Sequence, residues 1–391
     1  MQIRSVIKLG VVLSVVLFCI GIAFYGFARL SMADKENSVD VFEFVPEDCA
    51  GILETDNIDN FMHAFSQMAY SSQLDTLHRA GLINDILTDL SQYSSEAAHG
   101  LSYQMNYVVM SFHRPYTAMD VVAYFRMGKE GKRQLIEAVK GKYGADFVPK
   151  KESYRGKKIE IYPISSTKYL SVYTTDGLVV VSYQKKLIEQ VIDAVKDQKS
   201  LRDDSVFAAI HQPKAANFIT IYGRTSAIPL LSREDCHSWS EYDIHLNSEV
   251  FYLSGQMYAS SSCMERTLEG IHALPVTEES DSLLVVAGTE KVDSCISRVA
   301  ASPSHSLFDE CVSNLSREAC YIMVADMDKV YISPEKYASY LPPFIIRHSD
   351  LFRPFILSVQ LTEVGNRLSH IFVFTLSLIH ISEPTRPISI S

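Results

Sequence analysis

Twenty residues from Leu9 to Ala28 carry no charged side chain, and no other feature restricts so strongly what this chain can fold into. A run of that length makes a helix of roughly 30 Å, the thickness of a bilayer core. A lone segment in lipid satisfies its backbone polar groups only as a helix. Arg4 and Lys8 precede the run, whereas Arg29 and Lys35 follow it diluted by Asp34 and Glu36. The positive-inside rule therefore puts the N-terminus in the cytoplasm. An uncleaved signal-anchor is expected, because typical secretory cores stop at about 15 residues. Small residues at Gly26-Phe27-Ala28 and Ser31-Met32-Ala33 supply the rival cleavage sites. Cys19 follows the bulky Phe18 and reads as apolar filler rather than a lipidation site. From about Asp34 onward the chain is expected to be exported, as a single-pass protein.

With 47% apolar and 21% charged residues, the exported part is expected to bury a sizeable core. A net charge of -10 argues against nucleic acid and anionic lipid as main partners. The densest basic stretch, Arg126 to Lys158, is interrupted by Glu130, Glu137, Asp146 and Glu152, which predicts a solvated helix face rather than an anion site.

Hydrophobic periodicity predicts an α+β fold of mixed, mainly antiparallel sheets with amphipathic helices. Strands are expected at 45–54, 107–112, 119–125, 158–164, 170–173, 178–183, 218–222, 242–246 and 250–258, with helices at 56–68, 72–93, 131–143 and 185–195. Residues 107–112 and 119–125 flank Arg114-Pro115 as an antiparallel pair. One pattern recurs: 179–182 runs into a helix with Leu187 and Val191, and 284–287 into a helix with Val292 and Ile296. Residues 51–61 and 321–330 make looser copies, so repeated strand-helix units are expected. The expected division is 1–33 stub and anchor, 34–274 first exported region and 275–375 second exported region. Residues 230–240, with the single Trp239, read as a polar surface excursion in which Trp239 is a contact site or is partly buried.

Residues 355–361 and 368–375 alternate around Gly365-Asn366 as a hairpin. At the end of a chain such a hairpin leaves an unpaired edge, which predicts further native sequence. Leu376 to Arg386, LSLIHISEPTR, resembles the translation of a sequencing adapter, so 376–391 is expected to be an artefactual tail and His380, Glu383 and Arg386 are given no function.

The exported cysteines are Cys49, Cys236, Cys263, Cys295, Cys311 and Cys320. Cys295 and Cys311 fall on two helix faces able to meet, as a bridge or, preferred here, as reduced core residues. No C-x-x-C pair occurs, and Cys236-His237 with His245 is not a ligand set, so no metal and no cofactor are expected. No G-x-S-x-G, H-E-x-x-H or phosphate loop is present. His237, His245 and His305 remain the candidates for a dispersed catalytic site.

A short basic N-terminus, one anchor, Val45-Pro46-Glu47-Asp48 ahead of a strand, and repeated strand-helix units together resemble a family of uncharacterised membrane-anchored envelope proteins of Gram-negative gut anaerobes that carry a domain of unknown function. The resemblance spans most of Asp40 to Thr375 and implies localisation and fold, with no catalytic residues. The expected function is a non-enzymatic, membrane-anchored periplasmic binding or scaffolding protein, held by Leu9 to Ala28 and working with an envelope protein partner. The alternatives are an envelope hydrolase with a dispersed site, and a sensor that signals through a membrane partner.

Overall fold

A computed structural model describes residues 39–56, 64, 67–68, 107–115, 117, 119–128, 131–133, 148–163, 168–211, 219–225, 236–247, 249–274, 278–303, 306–365 and 367–377. The 9–28 run, the expected helices at 56–68 and 72–93 for nearly all their length, most of 131–143, His305, and the tail beyond Ser377 lie outside these residues. Among the described residues no helix is long and apolar enough to cross a membrane.

The strands are β1 (Gly51–Thr55), β2 (Val108–Phe112), β3 (Val121–Arg126), β4 (Lys150–Tyr154), β5 (Lys157–Pro163), β6 (Tyr169–Thr175), β7 (Leu178–Ser182), β8 (Thr220–Arg224), β9 (Ser238–Leu246), β10 (Val250–Ala259), β11 (Glu278–Glu279), β12 (Leu283–Ala287), β13 (Tyr321–Asp326), β14 (Phe355–Glu363) and β15 (Leu368–Leu376). The helices are α1 (Lys185–Asp197), α2 (Ser205–Ile210), α3 (Ser261–His272), α4 (Thr289–Ala300), α5 (Leu307–Ser313), α6 (Met327–Ile332), α7 (Pro334–Tyr337), α8 (Pro343–Arg347) and α9 (Ser349–Phe352). The strands form one sheet in the order β11-β12-β13-β14-β15-β10-β9-β8-β1-β2-β3-β7-β6-β5-β4, and neighbours are antiparallel. The α+β expectation holds in this form, as a single large antiparallel sheet with helices. The strands after residue 275 form one contiguous block of the sheet and those before it another, and the two blocks meet where β10 pairs with β15.

Register shows what each face is for. One row of paired residues runs Tyr321, Leu361, His370, Gly255, Tyr242, Ile221, Leu53, Met110, Ala123, Val181. Partners in an antiparallel ladder share a face, so this face is apolar nearly throughout. Its β10–β15 and β12–β14 part packs against α3 and the α6–α8 segment through Leu268, Ile271, Val330, Leu341 and Ile345. The adjacent row, Ile322, Gln360, Ile371, Ser254, Asp243, Thr220, Glu54, Val109, Tyr124, Val180, presents the opposite face. It is apolar at both ends and polar in the middle. The apolar ends are the places where helices lie: Leu187, Ile188, Val191 and Ile192 of α1 join Tyr124 and Val180 in one core, and Val292, Ile296 and Val312 of α4 and α5 join Ile322 in another.

Four expectations change. The strand expected at 45–54 begins only at Gly51, since Val41–Glu43 is a 3-10 turn capped by Asp40 and Pro46 makes an isolated bridge to Ser200. Where it is described, the basic stretch 126–158 holds the end of β3, a helical segment at 131–133 and the β4–β5 hairpin, so Lys150, Lys151, Lys157 and Lys158 lie on strands and not on a helix face. The hairpin turns at Arg155 and Gly156, both at positive φ. Arg155 and Tyr154 reach across to Asp193 and Asp197 of α1. β9 starts at Ser238, so Trp239 is a fully buried strand residue and not part of a surface excursion. Finally, β15 pairs with β14 on one side and β10 on the other, so the terminal hairpin leaves no open edge there and that reason for further chain falls away.

Gly255 shows how closely two strands approach. A Cβ at this position of β10 would sit 1.7 Å from the Glu241 carbonyl oxygen of β9, which only glycine avoids.

Candidate functional site

The 113–120 connection is short and held from within. Asp120, buried, accepts hydrogen bonds from the Thr117 N–H (2.7 Å), from Thr117 Oγ1 (2.6 Å) and from the Gln184 side-chain amide. The His113 N–H donates to the Asp120 carbonyl (2.9 Å), and the Arg114-Pro115 bond is cis. This loop stands where β2 ends, β3 begins and β7 runs into α1, with the starts of β1 and the end of β8 beside it. Together they border a half-open cavity of about 750 Å³ whose walls include Asp48, His113, Arg114, Asp120, Gln184, Lys186 and Arg224. That size suits a small ligand, and the lining is more polar than in most such sites.

Behind the cavity lies a buried polar chain. His113 Nε2 is 2.9 Å from Ser111 Oγ, which is 3.1 Å from the Tyr124 hydroxyl. Burial pushes the His113 imidazole down to about 4, against the pull of Asp48 and Asp120, so the ring is neutral at ordinary pH. Cys49 is also fully buried, and burial raises its thiol to about 12, which makes it unreactive. Ser111 and His113 have the spacing of a nucleophile and base, but Ser111 is fully buried and cannot meet a substrate.

Arg224 closes one wall. Its guanidinium donates to the carbonyls of Cys49 (2.9 Å) and Glu47 and to His237 Nδ1 (3.0 Å), and it lies 4.6 Å over the Trp239 ring. The other His237 nitrogen, Nε2, is 2.8 Å from Asp204 Oδ2, which also accepts from Trp239 Nε1 (3.0 Å). Asp204 Oδ1 caps α2 by accepting from the Val206 and Phe207 N–H groups. Burial works to raise the Asp204 carboxyl, but the Phe207 N–H, His237 and Trp239 outweigh it and hold it below the usual range. With Arg224 donating to Nδ1 and Nε2 donating to Asp204, both nitrogens of His237 are committed, so it has no lone pair left for catalysis.

His245 lies apart on the β9–β10 face, stacked on Tyr252 (centroids 4.5 Å) and bonded to Ser254 (3.0 Å). The structure thus does not bring His237 and His245 together. Among the described residues no group of three or more His, Cys, Asp or Glu is placed to hold a metal. Cys236 and Cys263 form a disulfide with Cα atoms 5.4 Å apart, joining the start of β9 to α3. Cys295 and Cys311 are unbridged and share the core beneath α4 and α5. Sequence reasoning missed the cavity because its walls come from four separated segments. The only local sign of it was the Arg114-Pro115 turn.

Residues 128–241 match the model of a family described as a protein of unknown function, DUF3352. The matched segment contains β4 to β8, α1 and α2, and ends inside β9. No curated protein matches the chain, and no solved structure does. An uncharacterised domain family is therefore present at 128–241, in line with the coarser part of the resemblance read from the sequence.

Proposed function

We propose that this chain is a membrane-anchored binding protein of the bacterial periplasm that captures a small polar ligand in the 113–120 cavity. The observation that carries the reading is the cavity itself: it is of ligand size and its walls are rich in hydrogen-bonding groups. The apolar Leu9 to Ala28 run with its preceding basic residues supports the anchor, and the Cys236–Cys263 bridge suits an oxidising compartment.

Thermal unfolding of the detergent-solubilised full chain against a panel of polar metabolites tests the reading. A ligand at about 100 times its Kd adds about 2.7 kcal/mol and raises Tm visibly. A saturable rise with at least one compound, abolished by filling the cavity with Thr117→Trp, supports it. A flat response across the panel, or turnover of the added compound, overturns it.

A further inference from the structure

Charge accounting inside the cavity points to what it takes. Of its charged walls, Asp120 is saturated by Thr117 and Gln184, and Arg224 by two carbonyls and His237. That leaves Asp48, Arg114 and Lys186, all exposed at the rim, with neither hydrogen bond nor ion pair among the described residues. Two cations and one carboxylate therefore face a common opening without using one another.

The buried wall adds a directed donor. The Tyr124 hydroxyl is fully buried, and Ser111 Oγ is its one hydrogen-bonding partner among the described residues. Either hydroxyl of this pair can donate, and with Tyr124 donating to Ser111 each of the two hydroxyls finds an acceptor along the chain to His113. Where Ser111 donates to His113 Nε2, the neutral ring carries its proton on Nδ1. His113, which lines the cavity, is in that arrangement a ring N–H donor. Gln184 and Lys186 belong to the start of α1, which has no side-chain cap and whose dipole favours a negative group.

We infer that the cavity receives a small zwitterion, a short peptide, with its carboxylate held by His113, Arg114 and Lys186 and its ammonium group by Asp48. This inference rests on the binding function proposed above and names its ligand class. Arg114 and Lys186 are flexible and exposed, so they attract and orient the carboxylate, while the fixed His113 N–H and the polar loop select for an acceptor that reaches the floor. Asp48 rejects purely anionic solutes and rewards a ligand that brings its own cation.

The test is calorimetric titration of the full chain in detergent with trialanine, N-acetyl-trialanine and trialanine amide. These probes remove the ammonium and carboxylate charges one at a time. Trialanine is expected to saturate a single site, and each blocked form to bind about tenfold more weakly or worse. Asp48→Asn should erase the penalty on the acetylated form alone, and Arg114→Ala with Lys186→Ala the penalty on the amide alone. The variants change exposed rim residues, and an unchanged melting temperature without ligand confirms their fold. Equal affinity for all three forms overturns the inference, as does no binding at all. If trialanine fails while another polar solute raises Tm through the same cavity, the ligand class is wrong and the binding function stands. If nothing binds, both fall.

Discussion

Set side by side, the segment of the sheet ordered β8-β1-β2-β3-β7-β6 and the segment ordered β12-β13-β14-β15-β10-β9 are wired alike. Each has a central hairpin, β2–β3 or β14–β15. The second strand of that hairpin pairs with β7 or β10, each the second strand of another sequential pair and each followed by a helix, α1 or α3. The difference lies at the other side. β12 reaches its neighbour β13 through α4 and α5, whereas β8 and β1 are joined by hydrogen bonds alone, because β8 continues into β9. A strand order can thus be kept while the connection that would normally enforce it is cut and moved. Pairing, not chain continuity, holds the first half shut.

Calorimetry of core variants asks whether the two halves are also separate energetically. Phe355→Ala empties a fully buried ring site of the second half and is expected to cost about 4 kcal/mol. If the halves melt independently, only one of two transitions moves; a single transition shifting as a whole breaks the modular comparison and makes the sheet one cooperative unit. Gly255→Ala forces a Cβ into the Glu241 carbonyl and is expected to cost about 3 kcal/mol. Gly51→Ala in β1 meets the Tyr222 carbonyl at 3.0 Å and should cost less, measured by urea unfolding of the two variants in parallel. Loss of the Cys236–Cys263 bridge by Cys236→Ser releases a crosslink across 27 residues beside the β8–β9 junction, for about 2 to 3 kcal/mol. Reductant should reproduce it.

Among the described residues each half also hides one neutral histidine. Burial lowers His113 to about 4 and His370 to about 3 from the ordinary 6.5. Between those values the unfolded chain binds more protons than the folded one, so each contribution is complete above about pH 6.5 and declines on acidification. At pH 5 each has cost about 2 kcal/mol. His370→Phe should flatten the pH dependence of unfolding by about half and leave the His113 share. The smallest effect is expected at the surface: Arg155→Ala breaks exposed pairs to Asp193 and Asp197 and should leave Tm unchanged within error at physiological salt.

The sequence made the alternating strands and the amphipathic α1 and α4 legible, because burial on one face imposes a period. It misled about equivalence. Residues 178–182 and 283–287 look alike because β7 and β12 are both buried at every position, yet by sheet position β7 matches β10, whose residues are mostly half-exposed. β4 was hidden because both of its faces are wet, so Lys150 and Lys151 showed no alternation. The start of β9 was hidden because Ser238, Ser240 and Glu241 are polar but buried. Of the candidate site, the Arg114-Pro115 turn was visible, but the convergence of Asp48, His113 and Lys186 is a property of register across β1, β2, β3 and β7.

The position of β1 has a consequence for how the molecule is made. Its two neighbours, β2 and β8, end at Phe112 and Arg224, so the strand nearest the N-terminus is completed last but for the second half itself. While the chain is being synthesised, Gly51–Thr55 stays unpaired on one edge until more than half of the polypeptide has emerged. Such distant pairing makes for slow folding and leaves an edge open to neighbouring chains. A chaperone that shields this segment during synthesis would raise the yield of folded protein more than one acting on any later strand.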